Sequence, residues 1–178
     1  ALDYATWWSG GAAHPNAATG AADPPIGEAL ILEWAADENE IRTVLTERGW
    51  DPAPAFLWLD LLNTLSPEVN VNTLPVLPRV HQGQHGQSRM VRELSDGSAR
   101  LVARFWLEAR LDPGALPLWF GQVSLERAVR RGGLIAMIKS QSVAADRLDL
   151  SGETGLTLKT IRRDGQAVLL IGRPTVAR

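Results

Sequence analysis

Apolar positions in the first half of the chain follow the spacing of one strand and two helices. The segment from Glu28 to Trp34 is a short apolar run that predicts a strand. Between Asp37, which suits an N-cap, and Gly49, which suits a helix end, apolar residues recur at helical spacing. A second helix is predicted from Pro54 to Leu65, because proline fits a first helical turn and leucines follow at the same spacing.

The second half of the chain alternates apolar and polar residues around two Asp-Gly pairs. This dipeptide favours the two-residue turn whose twist matches that of antiparallel strands, so each pair predicts a hairpin. The predicted fold class is α+β, with a mainly antiparallel sheet of about five to seven strands and the two helices on one face. The hairpins are predicted to pair Arg89–Leu94 with Ala99–Leu107 and Leu156–Arg163 with Gln166–Ile171, and further strands are predicted at Leu118–Val123 and Leu134–Ser140.

The start of the chain differs from the rest in composition. Residues 1–27 are rich in Gly, Ala, Pro and Asn and lack periodicity, which predicts a loosely ordered lead-in before a single α+β domain over residues 28–178. Trp7 and Trp8 lie within this lead-in. Adjacent tryptophans dock onto a core or lie near a membrane interface, and docking onto the core is the favoured interpretation.

Length and composition fit one globular domain. The chain has 178 residues, of which 45% are hydrophobic and 21% are charged, and no apolar run approaches the roughly 20 residues of a membrane-spanning helix. Since the chain has no cysteine, disulfides, zinc-thiolate sites and cysteine nucleophiles are excluded. The chain starts at Ala1 rather than at a methionine, from which we expect a processed protein or a fragment that lacks an upstream segment.

Charge is distributed unevenly along the chain. Residues 1–72 contain 11 acidic and 2 basic residues, whereas residues 73–178 contain 9 acidic and 16 basic residues, so the two halves are expected to attract each other. Arginine accounts for 16 of the 18 basic residues. Its planar fork suits carboxylates and phosphates, although GC-rich codon usage explains the same bias. Nucleic acid is not an expected partner, because the pI is only 5.9.

Hairpin register brings two arginines face to face. Around a two-residue turn at Asp96-Gly97, the numbers of paired residues sum to 193, which places Arg89 opposite Arg104. These like charges repel each other and require a negative group nearby. An internal carboxylate from the acidic half, such as Asp60 or Glu68, is the favoured source, and a bound anion is the alternative. The candidate binding residues of this face are Arg89, Arg100, Arg104 and Trp106.

His81 and His85 are the other candidates for chemistry. On a helix, two histidines four residues apart would present their imidazoles to one metal ion. The surrounding segment contains prolines and glycines, so a helix is not expected there and solvated loop histidines are the favoured interpretation. No nucleophile elbow, phosphate-binding glycine loop or pair of acids stands out. We therefore predict no catalytic residue, no metal and no cofactor, with His81 and His85 as the metal-binding alternative.

Three motifs in the middle of the chain resemble the LssY C-terminal domain family. The resemblance extends from Ile31 to Leu150, and the motifs around Trp106 and Trp119 are its most specific part. Because both tryptophans lie in alternating strands, we expect them to be mostly buried structural residues. The motifs are Leu74-Pro75-Val76-Leu77-Pro78, Ala103-Arg104-Phe105-Trp106 and Pro117-Leu118-Trp119-Phe120-Gly121-Gln122-Val123-Ser124, and Asp146-Arg147 is similar to a later Asp-x-x-Arg-like stretch.

The resemblance implies a bacterial protein that is associated with a membrane. Members of the family are tethered behind an N-terminal anchor or fused to DedA-type or phosphatidic-acid-phosphatase-like regions, which implies tethering through an upstream segment and proximity to lipid phosphates. Some members carry histidine pairs where this chain has Leu101-Val102 and Ala136-Met137-Ile138. Their absence favours a binding or structural role. The side of the membrane stays open, and the extracytoplasmic side is favoured.

Two functions of different classes follow from these observations. The favoured one is a non-catalytic accessory or ligand-binding domain beside a membrane, which binds an anionic small molecule or a lipid head group through the four candidate residues. The alternative is a hydrolase that acts on a phosphorylated or lipid-derived substrate, with His81 or His85 as base or metal ligand. The hydrolase requires His81 near an acid in a cleft, whereas the binding domain requires a groove beside the arginines.

Overall fold

The protein folds around one large β-sheet. The computed structural model describes residues 2–10, 30–53, 70–77, 79–81, 84–85, 88–94, 97–131, 135–152, 155–163 and 165–173. Within these ranges no helix is long and apolar enough to cross a membrane. The α-helices are α1 (Tyr4–Ser9) and α2 (Glu38–Glu47), and short 3₁₀ helices lie at Val71–Thr73 and Ala145–Leu148. The strands are β1 (Leu2–Asp3), β2 (Leu32–Ala35), β3 (Asp51–Pro52), β4 (Val80–His81), β5 (Gln84–His85), β6 (Ser88–Glu93), β7 (Ala99–Asp112), β8 (Leu116–Arg131), β9 (Ile135–Val143), β10 (Thr157–Arg163) and β11 (Gln166–Gly172).

Nine of these strands form a single mixed sheet. Its order is β10-β11-β2-β8-β7-β6-β3, with β9 paired to β8 and β1 paired to β7. Most ladders are antiparallel, but β1 runs parallel to β7, with Leu2 beside Leu111, and β11 runs parallel to β2, with Leu169 beside Leu32. β4 and β5 form a separate two-stranded ladder. Pairings between distant parts of the chain therefore hold the sheet together.

The predicted fold class is wrong. We expected an α+β domain with a mainly antiparallel sheet of about five to seven strands and two helices on one face. The described residues instead are mostly strand, and they form a nine-stranded mixed sheet with two short α-helices. The helix predicted from Pro54 to Leu65 lies outside the described residues. The sheet is larger than expected because β1 and β3, which were not predicted as strands, join it through pairings with β7 and β6 that no hairpin motif encodes.

Both predicted hairpins are confirmed in their register. β6 pairs with β7 so that Arg89 lies opposite Arg104, and β10 pairs with β11 so that Arg163 lies opposite Gln166. Gly97, in the first turn, has a φ of 64°, a left-handed conformation that glycine adopts without strain. The strands predicted around β8 and β9 are also present, but both extend further than expected.

The two faces of the sheet bury separate cores. One face, called here the α2 face, packs against Ile41 and Leu45 of α2, the helix predicted between Asp37 and Gly49. The opposite face packs against Trp7 of α1 and is called the arginine face, because it also carries the arginines described below. The α2 face contributes Leu32, Trp34, Met90, Leu101, Ala103, Phe105, Trp119, Val123 and Ile171, and the arginine face contributes Ala35, Leu111, Leu118, Phe120, Val168 and Leu170.

The first residues of the chain have regular structure. Leu2–Ser9, expected in a loosely ordered lead-in, instead form β1 and α1. The division of the chain into a lead-in and one domain otherwise stays a prediction. The hydroxyl and the backbone N–H of Thr6 donate to Asp3, which lowers the pKa of that carboxyl. Trp7 is fully buried, so the predicted docking of this tryptophan onto the core is confirmed.

β8 joins three strands at the centre of the sheet. β7 pairs with one edge of β8 over Leu116–Arg127. The other edge is shared by β2, which pairs with Leu118–Gly121, and by β9, which pairs with Val123–Arg131. The sheet therefore forks where β2 and β9 meet on β8, and the end of the β8–β9 hairpin extends beyond β7.

Gly121 lies at this fork and explains the glycine of the tryptophan-containing motif. A Cβ atom at this position would lie 2.7 Å from Cδ1 of Leu32 and 3.0 Å from Cδ1 of Phe105. Real Cβ atoms do not approach other carbon atoms this closely in a packed core. Glycine therefore lets the side chains of β2 and β7 meet above β8.

Candidate functional site

The predicted arginines lie side by side on the arginine face. Arg89 on β6 is opposite Arg104 on β7, and Arg100 lies four residues before Arg104 on the same face. β8 places Glu126 opposite Arg100. The register therefore combines three arginines and one carboxylate on neighbouring strands.

Glu126 bridges the two most deeply buried arginines among the residues that the structure describes. Its Oε2 accepts from Nε and Nη2 of Arg100 at 3.0 and 2.9 Å, and its Oε1 accepts from Nη2 of Arg104 at 2.7 Å. The hydroxyl of Ser124 accepts from Nη1 of Arg104 at 2.9 Å. The side chains of Arg100, Arg104 and Glu126 are only 2%, 0% and 2% exposed, so this Arg–Glu–Arg cluster is shielded from solvent.

The segment Leu74–Leu77 covers the cluster with its backbone carbonyls. It belongs to the first motif that carries the family resemblance, and its four consecutive carbonyls each accept a hydrogen bond from an arginine. These bonds satisfy donors that one carboxylate cannot satisfy alone. The acceptors are Leu74 and Pro75 for Arg100, Val76 for Arg89 and Leu77 for Arg104, at 2.6, 3.0, 3.0 and 3.3 Å respectively.

The carboxylate of the cluster comes from the sheet itself. Asp60 and Glu68, which we expected to neutralise the facing arginines, lie outside the described residues, and Glu126 accepts from Arg104 instead. An anion that entered this site would have to displace Glu126 or the carbonyls of Leu74–Leu77. The arrangement therefore supports a structural role for the cluster, in which the arginines fix an irregular segment onto the sheet.

Titration with inorganic phosphate tests whether the arginines also bind an anion. We expect calorimetry to detect binding neither by the wild type nor by Arg104→Ala, because the guanidinium groups already have internal acceptors. Arg89→Ala is a second variant for this titration. Arg89 is only partly buried, and its removal leaves Glu126 paired with Arg100 and Arg104, so the fold should be retained. Wild-type binding that both substitutions abolish, and that weakens as salt rises, would show an open anion site.

Trp106 and Trp119 are buried, as predicted. Their exposed fractions are 2% and 4%. The indole N–H of Trp119 donates to the backbone carbonyl of Ala36 at 3.0 Å, which links β8 to the segment that leads into α2. Trp106, which was also a candidate binding residue, lies opposite Phe120 within the sheet. Both positions fit a structural role.

His81 and His85 lie in strands rather than in the loop that we expected. His81 pairs with Gln84, and His85 pairs with Val80, in the short ladder of β4 and β5. Over the residues that the structure describes, no group of three His, Cys, Asp or Glu side chains could hold a metal ion. Metal binding by the two histidines stays the alternative to the prediction of no metal.

Among the residues that the structure describes, two ion pairs connect the acidic and basic halves of the chain, as the charge distribution predicts. Glu33 on β2 is 2% exposed and lies 2.8 Å from Arg163 on β10, and its Oε2 also accepts from the indole of Trp7 at 2.7 Å. Glu40 on α2 accepts from Arg173 at 2.8 Å. The first pair joins the N-terminal and C-terminal halves of the chain through the sheet, although the charge distribution did not identify its individual residues.

A cleft that no sequence pattern predicted opens at the fork of the sheet. Its volume is about 600 Å³. Ile31, beside β2, and Val143, at the end of β9, contribute to one side, while Leu158 and Leu169 contribute from β10 and β11. Five separate segments build the cleft, so no local motif could reveal it. Asp146 is the one charged residue among its described lining residues.

The fold and these sites define a β-sheet domain with a buried Arg–Glu–Arg cluster and an apolar cleft. A family model described as LssY C-terminus matches residues 16–157, and the chain therefore belongs to this family. The match includes all three motifs on which the resemblance was based, so the predicted family is confirmed. No curated protein and no solved structure matches the chain.

Proposed function

We propose that this domain is a non-catalytic binding module that holds an apolar or lipid-derived small molecule in the cleft at the fork. The proposal rests on the volume of the cleft, which is about 600 Å³. Ligand sites in proteins usually enclose about 300–1,000 Å³ and have mainly apolar walls with a few polar groups. The lining of this cleft follows that pattern, with aliphatic side chains from β10, β11 and the end of β9.

The polar groups of the cleft favour a neutral or cationic ligand head. Asp146 supplies a negative charge, while Thr160 and Gln166 supply a hydroxyl and an amide that hydrogen-bond to uncharged groups. No lysine or arginine is among the lining residues that the structure describes. The predicted anionic ligand therefore has no described cationic partner in the cleft, and a chain with an alcohol, amide or amine end fits better.

In this proposal the domain lies beside a membrane, and the Arg–Glu–Arg cluster has a structural role. An apolar, lipid-derived ligand fits the tethered, membrane-associated bacterial protein that the family resemblance implies, with the extracytoplasmic side favoured. Fractionation of cells that produce the complete open reading frame tests this location. The hydrolase stays the alternative. It requires His81 near an acid in a cleft, and no histidine is among the described lining residues of this cleft.

Titration with the neutral fluorophore N-phenyl-1-naphthylamine tests the cleft. We expect saturable binding that 1-decanol reverses better than decanoate, because Asp146 disfavours a carboxylate. Thr160→Trp introduces an indole at an exposed position of β10 that lines the cleft. The indole should fill part of the cavity and weaken binding about tenfold or more, which corresponds to roughly 1.4 kcal/mol.

Thr46→Trp is the matched control for this titration. Thr46 is exposed on α2 and does not line the cleft, so the same substitution there should leave the affinity unchanged. Equal affinities of the Thr160→Trp variant and the wild type would contradict the proposed site. Better displacement by decanoate than by 1-decanol would contradict the proposed ligand class.

A further inference from the structure

The end of the β8–β9 hairpin forms an arm that extends beyond the neighbouring strand. β7 begins at Ala99, which pairs with Arg127, so the following residues of β8 pair with β9 alone among the described residues. The ladder of the arm continues to the pair of Arg131 and Ile135. The arm is therefore a two-stranded projection from the large sheet.

One face of the arm carries an unusual exposed strip. Arg127 lies opposite Lys139, and two residues further along Val129 lies opposite Met137. Val129 and Met137 are 40% and 44% exposed, and both are among the few large hydrophobic residues that the structure exposes. Arg127 and Lys139 are exposed as well. We name these four residues the arm strip.

The arm has a strongly positive charge in a chain whose net charge is negative. Residues 127–139, which form the arm, contain four basic residues and no acidic residue, whereas the whole chain has a net charge of −2. We propose that the arm strip docks on an anionic lipid surface. Val129 and Met137 enter the interfacial region, and Arg127 and Lys139 bind the anionic head groups beside them.

Protection of a sheet edge does not account for the arm strip. Lysine on an edge strand prevents edge-to-edge aggregation, which would explain Lys139 on β9. Arg127, however, lies on a strand that is paired on both sides, with Ala99 and with Lys139. Edge protection also does not place an exposed apolar pair next to an exposed basic pair.

A lipid surface fits the arm strip better than a macromolecular partner does. A stable protein interface buries about 800 Å² on each partner, which is far more than four side chains provide. Single-stranded nucleic acid binds through aromatic stacking platforms, and the arm strip has no aromatic residue. A membrane surface needs only a few basic groups and apolar anchors, each of which adds to the affinity.

The arm and the cleft lie along the same hairpin, but binding by one does not require binding by the other. Met137 and Val143 belong to β9 with an even separation, so their side chains share one face of the sheet at a distance of about 20 Å. Docking of the arm would therefore bring the cleft close to the lipid. The arm strip does not depend on the cleft, and Thr160→Trp separates the two, since it should leave lipid binding unchanged.

Vesicle flotation tests the arm. The wild type should bind phosphatidylcholine vesicles that contain about 30% phosphatidylglycerol, and raising the salt concentration should release it, since exposed charges are screened over about 10 Å at 0.1 M ionic strength. The double variant Arg127→Glu/Lys139→Glu should bind these vesicles about tenfold less tightly or worse. Val129→Ser/Met137→Ser should also weaken binding at low salt, without changing how steeply the binding falls as the salt concentration rises.

The control is a double variant with the same charge change elsewhere. Arg110 and Arg162 are exposed outside the arm, so Arg110→Glu/Arg162→Glu should retain most of the binding. Equal losses in the two charge-reversal variants would overturn the proposal, as would equal binding to vesicles of phosphatidylcholine alone. Tighter binding to a DNA duplex or to a polyglutamate peptide than to the anionic vesicles would also overturn it.

Discussion

Replacing Glu126 by alanine is expected to lower the free energy of unfolding by about 3–5 kcal/mol. The substitution leaves the guanidinium groups of Arg100 and Arg104 buried without their carboxylate, and both are almost completely shielded from solvent. Breaking a buried ion pair in this way costs more than the pair contributes, because the remaining charge keeps its desolvation penalty. Urea unfolding of the two proteins, followed by tryptophan fluorescence, measures the difference.

An exposed ion pair provides the control for Glu126→Ala. Glu38 and Arg42 lie 3.4 Å apart on α2 with both side chains about two-fifths exposed, so Glu38→Ala should cost less than about 1 kcal/mol. The double variant Arg104→Met/Glu126→Met should lose less stability than the sum of its single variants, since it removes both members of the pair. A loss below about 1 kcal/mol for Glu126→Ala would mean that the cluster is hydrated.

Local features of this fold could be predicted from the sequence because short-range geometry determines them. The Asp96-Gly97 pair sets the register of its hairpin, and Arg89 lies opposite Arg104 as a result. α2 follows from helical spacing that Gly49 ends. The same reasoning placed the strands around Trp106 and Trp119 and predicted that both indoles are buried.

The remainder of the fold depends on pairings that have no local signal. The pairings of β1 with β7 and of β2 with β11 join strands of the N-terminal part of the chain to strands that are distant in sequence. The register of β7 with β8 shifts between Leu107 and Ala109, so turn length alone does not show that Glu126 faces Arg100. We therefore expected the carboxylate to come from the acidic half of the chain, whereas β8 supplies it as Glu126.

The candidate site was predicted only in part for the same reason. The arginine positions came from one hairpin, whereas their acceptors come from β8 and from Leu74–Leu77. The cleft combines side chains from five segments around the fork, and the fork exists only because β2 and β9 share one edge of β8. Charge asymmetry did predict the attraction between the halves, which Glu33 and Arg163 illustrate.

Replacing Trp106 by alanine should lower the free energy of unfolding by about 3–5 kcal/mol, the usual cost of truncating an enclosed indole. Trp106 is 2% exposed, and its pairing partner Phe120 is also buried. The cavity left behind would lie within the sheet, where the pairing of this part of β7 with β8 restricts collapse. Urea and thermal unfolding measure the loss, and Trp106→Phe should recover part of it by refilling the cavity.

The comparison with Trp8 decides whether Trp106 is structural or a binding residue. Trp8 is only partly buried, so Trp8→Ala should lower the free energy of unfolding less than Trp106→Ala does. The contact of Lys159 with the Trp8 ring, at 5.9 Å, adds only a small stabilisation at this surface position. A loss below about 1 kcal/mol for Trp106→Ala would show that the indole is accessible and would return Trp106 to the candidate binding residues. A large loss instead assigns Trp106, like the neighbouring Arg–Glu–Arg cluster, to the framework that supports the fork and its cleft.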